Sequence, residues 1–235
     1  MLRNNKETTF KPRGIPTPVT TKPKKLSSKT FLSNPIRPGF DFTKRMSWSA
    51  FSCFNNPDYP EFSNREKWYE RYVLKIQEPP TPQLVFGSMI DKKIQADRSF
   101  LPQLERFPVM QFEMKPYLNT IPLIGYADGF DRDKLRLKDD KTGVTPWTQE
   151  RANKTGQLTM YLLMLHLEYG IHPEKVQCQI DWIPTMKKSD GSIALVDPPR
   201  VETFYTKRTM LDLMKFMNYI EETYKQMQEY VKNHK

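Results

Sequence analysis

Two spacings of hydrophobic residues alternate along this chain, and they divide it into elements. Steps of three and four residues mark helices, and alternation by two marks half-buried strands. "MSWSAFSCFNNP" (46–57) reads as a capped helical turn with Ser47 or Ser49 as N-cap, and "SNREKWYERYVLKIQ" (63–77) as an amphipathic helix ended by Pro79 and Pro80. Ile90 and Ile94 predict a helix over 88–97 after Gly87. Strands are predicted over 108–118 (Met110, Phe112 and Met114 on one face) and 121–131 (Ile124, Tyr126, Asp128 and Phe130 on one face). A helix follows at 153–170 with Gly170 as C-cap, then strands in "KVQCQIDWIPTM" and "RVETFYTK". Leu213, Phe216, Met217, Ile220, Tyr224 and Met227 give a long terminal helix one apolar face, suited to packing on a sheet. The order predicts an α/β (α+β) fold, a central mixed β-sheet flanked by helices.

One further strand, "LRLKDDKTG" (135–143), breaks the simple pattern. Leu135, Leu137, Asp139 and Lys141 share one parity, so an acid and an ammonium lie on the apolar side. Arg136, Lys138, Asp140 and Thr142 form the opposite, wholly polar face. A short turn joins this strand to the preceding one and sets Asp128 opposite 137 or 139 on that same apolar face. Two carboxylates in one apolar place repel and are costly to desolvate. A divalent cation resolves the conflict, and oxygen ligands without histidine suit Mg²⁺ or Mn²⁺. Lys141 is one step along, placed to act on a water or a developing phosphoryl charge.

Composition splits the chain in two. Twenty prolines among 235 residues and a hydrophobic content of 37% point to a part that does not fold. Nearly all of the net charge of +10 comes from the Pro-rich N-terminus. Residues 1–44 are therefore expected to be a disordered basic arm, a solvating tail or a DNA tether, and 45–235 the folded domain. A mitochondrial transit peptide is the lesser alternative, because the prolines oppose an amphipathic helix. No apolar run approaches the ~20 residues of a membrane span. Cys53 and Cys178 are too few for a zinc or iron–sulfur site or a disulfide framework, which suits a reducing cytoplasm. His166, His172 and His234 are the histidines of the chain, and neither His166, in an apolar helix, nor His172, in a turn before Pro173, is expected to be a ligand or catalyst.

The helix after the Asp-Asp-Lys strand carries Gln157 and Tyr161 four residues apart, on one face. Gly87 to Asp91, Gly125 to Asp128, Asp139 to Gly143 and Gln157 to Tyr161 occur in that order, preceded by Ser47 to Phe54. This set resembles the PD-(D/E)XK nucleases, specifically their RecB-like exonuclease branch: "G-x-x-x-H", "G-x-x-D", "D-x-K-T-G" and "Q-x-x-x-Y" after "S-x-S-x-x-x-x-F". The resemblance covers roughly residues 46 to 165. It implies a restriction-endonuclease-like core, Asp128 and Asp139 as metal ligands, the Asp140 carbonyl as a further ligand and Lys141 as the catalytic lysine. It also implies Gln157 and Tyr161 beside the scissile phosphate. Asp91 stands where the branch has histidine, either as a substitute ligand or as a plain helix-surface residue. Glu113 falls where some relatives carry an acid. Only Cys53 matches a cluster cysteine, so no iron–sulfur cluster is expected.

The resemblance implies a Mg²⁺- or Mn²⁺-dependent deoxyribonuclease, an exonuclease on single- or double-stranded DNA ends in recombination, repair or phage DNA processing. A bacterial or phage-infected cytoplasm and a recombination or replication protein partner go with that reading. Two alternatives stay open: a structure-specific endonuclease of the same fold, and a catalytically inactive DNA-binding subunit.

Overall fold

The computed structural model describes residues 40–234. The expectation of a disordered arm lies outside them up to residue 39. Residues 40–44 were assigned to the arm, yet Phe40 packs edge-on to Phe42, and the Phe42 carbonyl accepts the Tyr224 hydroxyl at 3.0 Å. The two phenylalanines lie against the main core and extend the folded part to Phe40.

Helix α1 (Trp48–Phe54) begins after Ser47 and buries Ala50, Phe51 and Phe54. The helix expected over 63–77 is cut short. Its α-helical part, α2 (Arg65–Trp68), is capped by the Asn64 side chain, which accepts from Lys67 N, and passes into a π-helical turn over Tyr69–Val73. The wider turn brings Trp68, Tyr69 and Val73 inward together. The helix expected from Ser88 starts earlier, as α3 (Pro82–Ala96): Thr81 caps it and Pro82 occupies its first position, where a missing N–H costs nothing.

The predicted strand 108–118 divides into β1 (Val109–Met114) and β2 (Tyr117–Leu118), and 121–131 into β3 (Ile121–Pro122) and β4 (Gly125–Asp131). Strands β2 and β3 form a separate two-stranded ribbon with Leu118 opposite Ile121. Strand β5 (Arg136–Gly143) follows. Helix α4 (Gln149–Lys154) and helix α5 (Gly156–Tyr169) are separated at Thr155 where one helix was expected. Gly156 is obligatory for space, since a Cβ there would stand 2.4 Å from the Trp48 ring. Strand β6 (Gln177–Lys187) is long enough to pair with both β7 (Ile193–Leu195) and β8 (Glu202–Thr206). Strand β7 lies outside both predicted strands. Helix α6 (Met210–Asn233) opens with a capping box between Thr209 and Asp212 and buries the expected stripe except Met217, which is half-buried.

The sheet runs β1-β4-β5-β6, with β7 and β8 both on the far edge of β6. Strands β5 and β6 are parallel, and the other pairs antiparallel. Helices α1, α5 and α6 share the larger core with Leu137, Cys178 and Ile180. Helix α3 and the segment after it bury a smaller cluster around Ile90, Ile94, Leu101, Leu104 and Ile183. The mixed sheet with flanking helices is the fold class expected from the pattern. Among the described residues no helix is long and apolar enough to cross a membrane.

Candidate active site

The parity of β5 holds, but the character of its second face does not. Leu137 joins the main core and Asp139 is 2% exposed, on the side of Gln157 and Tyr161 from α5. On the opposite face, expected to be simply polar, Asp140 and Thr142 are half-buried and Lys138 is fully buried. Its ammonium lies 2.8 Å from Asp140 Oδ1 and 3.4 Å from Asp181 Oδ2, and donates to the Glu105 carbonyl at 2.9 Å. Gly129, the cross-strand partner of Lys138, leaves room for its stem: a Cβ there would lie 2.8 Å from Lys138 Cγ.

Alternation along β4 is also broken. A Cβ on Gly125 would meet Tyr161 and Met164 of α5, whereas one on Gly129 would meet the other side of the sheet; even so Phe130 joins the main core. Asp128 sits at this change of phase, facing Gln111, whose φ is +52°. The β4–β5 register runs from Asp131↔Arg136 to Gly129↔Lys138. Beyond it the Asp128 carboxylate takes over the pairing: Oδ2 accepts the Asp140 backbone N–H at 2.7 Å, and Oδ1 accepts Gln111 Nε2 at 3.0 Å.

Lys141 Nζ lies 2.6 Å from Asp139 Oδ2 and donates to Gln157 Oε1 at 2.8 Å. Gln157 Nε2 donates in turn to Asp139 Oδ1 (3.0 Å) and to the Tyr161 hydroxyl (2.7 Å). Helical spacing of four residues lets Gln157 and Tyr161 meet. Asp128, Asp140 and Lys141 also line a cleft of about 490 Å³, whose other wall is α3 with Gly87, Ser88 and Asp91. Asp91 accepts Gln95 Nε2 at 3.0 Å, one turn along its own helix.

Charge in the cluster is unbalanced. Burial, reinforced by Asp139 and Asp140, pushes the Asp128 carboxyl up to about 7. Burial likewise pushes Asp140 up to about 6, although Lys138 opposes it. For Lys141 burial works against the charge, but Asp139, Asp128 and Asp140 together outweigh it and hold the ammonium. Burial also raises the Tyr161 phenol, which stays protonated. Asp140 Oδ2 is buried with no hydrogen-bond partner. Among the described residues no three His, Cys, Asp or Glu side chains are gathered as a ready metal cage. Surplus buried carboxylate and an all-oxygen donor set nevertheless fit a hard divalent cation that keeps some of its own waters.

The remaining candidates lie apart. Glu113 is exposed and engaged with Lys115 and the Tyr126 hydroxyl. His166 Nδ1 contacts the Ile171 carbonyl at the end of α5. Cys178 is in the core and Cys53 is half-buried, both as free thiols. Three residues were not foreseen. Gln111 left no sequence signal, whereas Asp181 and Lys138 could have been noticed as charges in strands flanked by neighbours on both sides.

The backbone has solved counterparts. A protein of Eubacterium rectale assigned as an exonuclease superposes with a TM-score of 0.56 at 15% identity, over 82% of each chain. A phage-related exonuclease of Haemophilus somnus 129PT gives 0.55 at 12% identity, over 83% of this chain and 98% of that one. The alkaline exonuclease LHK-Exo of Laribacter hongkongensis gives 0.50 at 10% identity, over 82% and 92%. The chain shares the fold of these exonucleases. No protein-family model matches it, and no curated protein matches it in sequence. Within this fold the cleft lies between the sheet, through Asp128, Asp140, Lys141 and Ile183, and helix α3.

Proposed function

We propose that the protein is a Mg²⁺- or Mn²⁺-dependent deoxyribonuclease that shortens DNA from its ends. The observation that carries this reading is the pairing of Asp128 with the Asp140 backbone beside the Lys141–Asp139–Gln157 cluster, at the rim of one cleft. A shared fold with exonucleases supports it, and LHK-Exo has been solved with dAMP, a deoxynucleoside monophosphate of the kind such cleavage releases.

Asp128, Asp139 and the Asp140 carbonyl would hold the cation, with Asp91 as a further candidate from α3. A bound cation supplies positive charge to the scissile phosphate and acidifies a water. Lys141, 28% exposed toward the cleft, donates to a phosphate oxygen as charge develops there. Gln157 fixes the rotamers of Lys141 and Asp139, and Tyr161 accepts from Gln157 and keeps its amide from turning over.

End-labelled single- and double-stranded DNA and RNA, with closed circular DNA alongside, test this in Mg²⁺, Mn²⁺ or EDTA. Linear DNA should shorten from its ends with metal and stay intact in EDTA, and circles should survive. Cut circles would make it an endonuclease. Binding without cleavage in either metal would make it a DNA-binding subunit.

A further inference from the structure

The Lys138 side of β5 buries an ion pair, and its contacts lead to the candidate site. Asp181 of β6 is 1% exposed. It accepts Gln179 Nε2 at 2.8 and 2.9 Å and the Thr203 hydroxyl of β8 at 2.7 Å. Its other neighbour is the Lys138 ammonium, which also holds Asp140 Oδ1. Asp140 is paired with Asp181 in the parallel β5–β6 ladder, and its backbone N–H supports the Asp128 carboxylate. Support therefore passes in one line from β8 through Asp181, Lys138 and Asp140 to Asp128.

A buried ion pair of this kind is poor value for stability, because desolvating the charges offsets most of their attraction. Well-packed apolar residues of similar size would hold two strands together as well or better. What the charges supply is direction. Beyond Gly129↔Lys138, Asp128 takes its place from the Asp140 amide and the Gln111 side chain. The Asp140 side chain in turn is held by the Lys138 ammonium at 2.8 Å.

We infer that Lys138 and Asp181 are positioning residues, which set the Asp140 backbone so that its amide orients Asp128 and its carbonyl meets the same cation. This rests on the metal-dependent nuclease reading and adds residues on the far face of the sheet to it. Partners one step removed from a metal's ligands typically change affinity by about 10- to 100-fold when lost.

The test is Mn²⁺ binding to the full chain, followed by electron paramagnetic resonance without DNA, with thermal unfolding in EDTA as control. Lys138→Met with Asp181→Leu removes both charges of the buried pair together, and the Asp140 carboxylate that loses its Lys138 contact borders the cleft. The double variant should unfold within a few degrees of wild type yet bind Mn²⁺ about tenfold more weakly. Asp181→Asn keeps the side-chain shape and guards against a double variant that does not fold; it should weaken Mn²⁺ by about threefold. Wild-type Mn²⁺ affinity in a folded double variant, or in Asp181→Asn, overturns the inference and leaves the nuclease reading standing. A wild-type protein that neither binds Mn²⁺ nor cuts DNA overturns both.

Discussion

The carboxylate of Asp128 on β4 and the backbone amide of Asp140 on β5 meet at 2.7 Å, where the ladder between their strands has ended. A side chain thus does the work of a backbone carbonyl where the sheet borders the cleft. Asp128 is held by the residue next to Asp139, and the two neighbouring aspartates acquire different duties.

Asp139 should carry chemistry through its side chain and Asp140 through its backbone. Asp139→Asn removes the charge beside Lys141 and should abolish cleavage while DNA binding survives. Asp140→Asn keeps an oxygen for Lys138 and the same amide for Asp128. It should cost less than about tenfold in rate, roughly 1.4 kcal/mol. Both variants are to be assayed on one end-labelled substrate in Mg²⁺ and Mn²⁺; an inactive Asp140→Asn beside an active Asp139→Asn would reverse the assignment.

The raised carboxyls fix the direction of a pH effect. With Asp128 raised to about 7, the metal-free folded chain keeps a proton that the unfolded chain has lost between about pH 4 and about pH 7. Stability in EDTA should therefore fall as pH rises through that window, with Asp140, raised to about 6, adding to its lower part. Metal must displace the same proton, so the Mg²⁺ needed for cleavage should rise as pH drops below about 7. Urea unfolding across this range measures the first effect, and Asp128→Asn should flatten it.

Gln157 touches Lys141, Asp139 and Tyr161 at once, whereas the Tyr161 hydroxyl accepts from Gln157 and otherwise neighbours only Asp139 among these groups. Gln157→Leu should lower kcat by about 10- to 100-fold, in the range seen when a partner of a catalytic ligand is lost. Tyr161→Phe, which keeps the buried ring, should cost less than about fivefold. Equal losses in the two variants would mean that the phenol itself reaches substrate.

Asp91 lines the cleft opposite the cluster and pairs with Gln95 of its own helix. If it turns to the cation, Asp91→Ala should raise the Mg²⁺ needed for half-maximal cleavage by several-fold, and Asp91→His should recover much of that. A metal titration unchanged in Asp91→Ala would leave it a wall residue.

Much of this was legible because periodicity reports burial. The stripe of α6 and the parity that separates Asp139 from Asp140 came through directly, and so did the Gln157–Tyr161 spacing. Boundaries failed where a local feature overrode period: the Thr81-Pro82 start of α3, the π-turn after Trp68 and the break at Thr155. The second face of β5 misled for a different reason. A run of Arg, Lys, Asp and Thr reads as solvated surface, and nothing nearby in sequence announces that the segment around Glu105 and Phe107 will roof it over. Asp181 and Thr203, which complete that pocket, arrive from strands more than forty residues later.

Strand β5 therefore carries two chemically complete groups back to back, Asp139 facing Gln157 of α5 and Lys138 facing Asp181 of β6, with no spare phase between them. Inserting one residue just after Leu137 would swap them, sending the Lys138 ammonium to the α5 side and Asp139 into the pocket beside Asp181. Side chains in this stretch can drift one at a time, but its length cannot. Changes in length are expected in the turn at 132–135 or after Gly143, where no residue is answerable to both sides of the sheet.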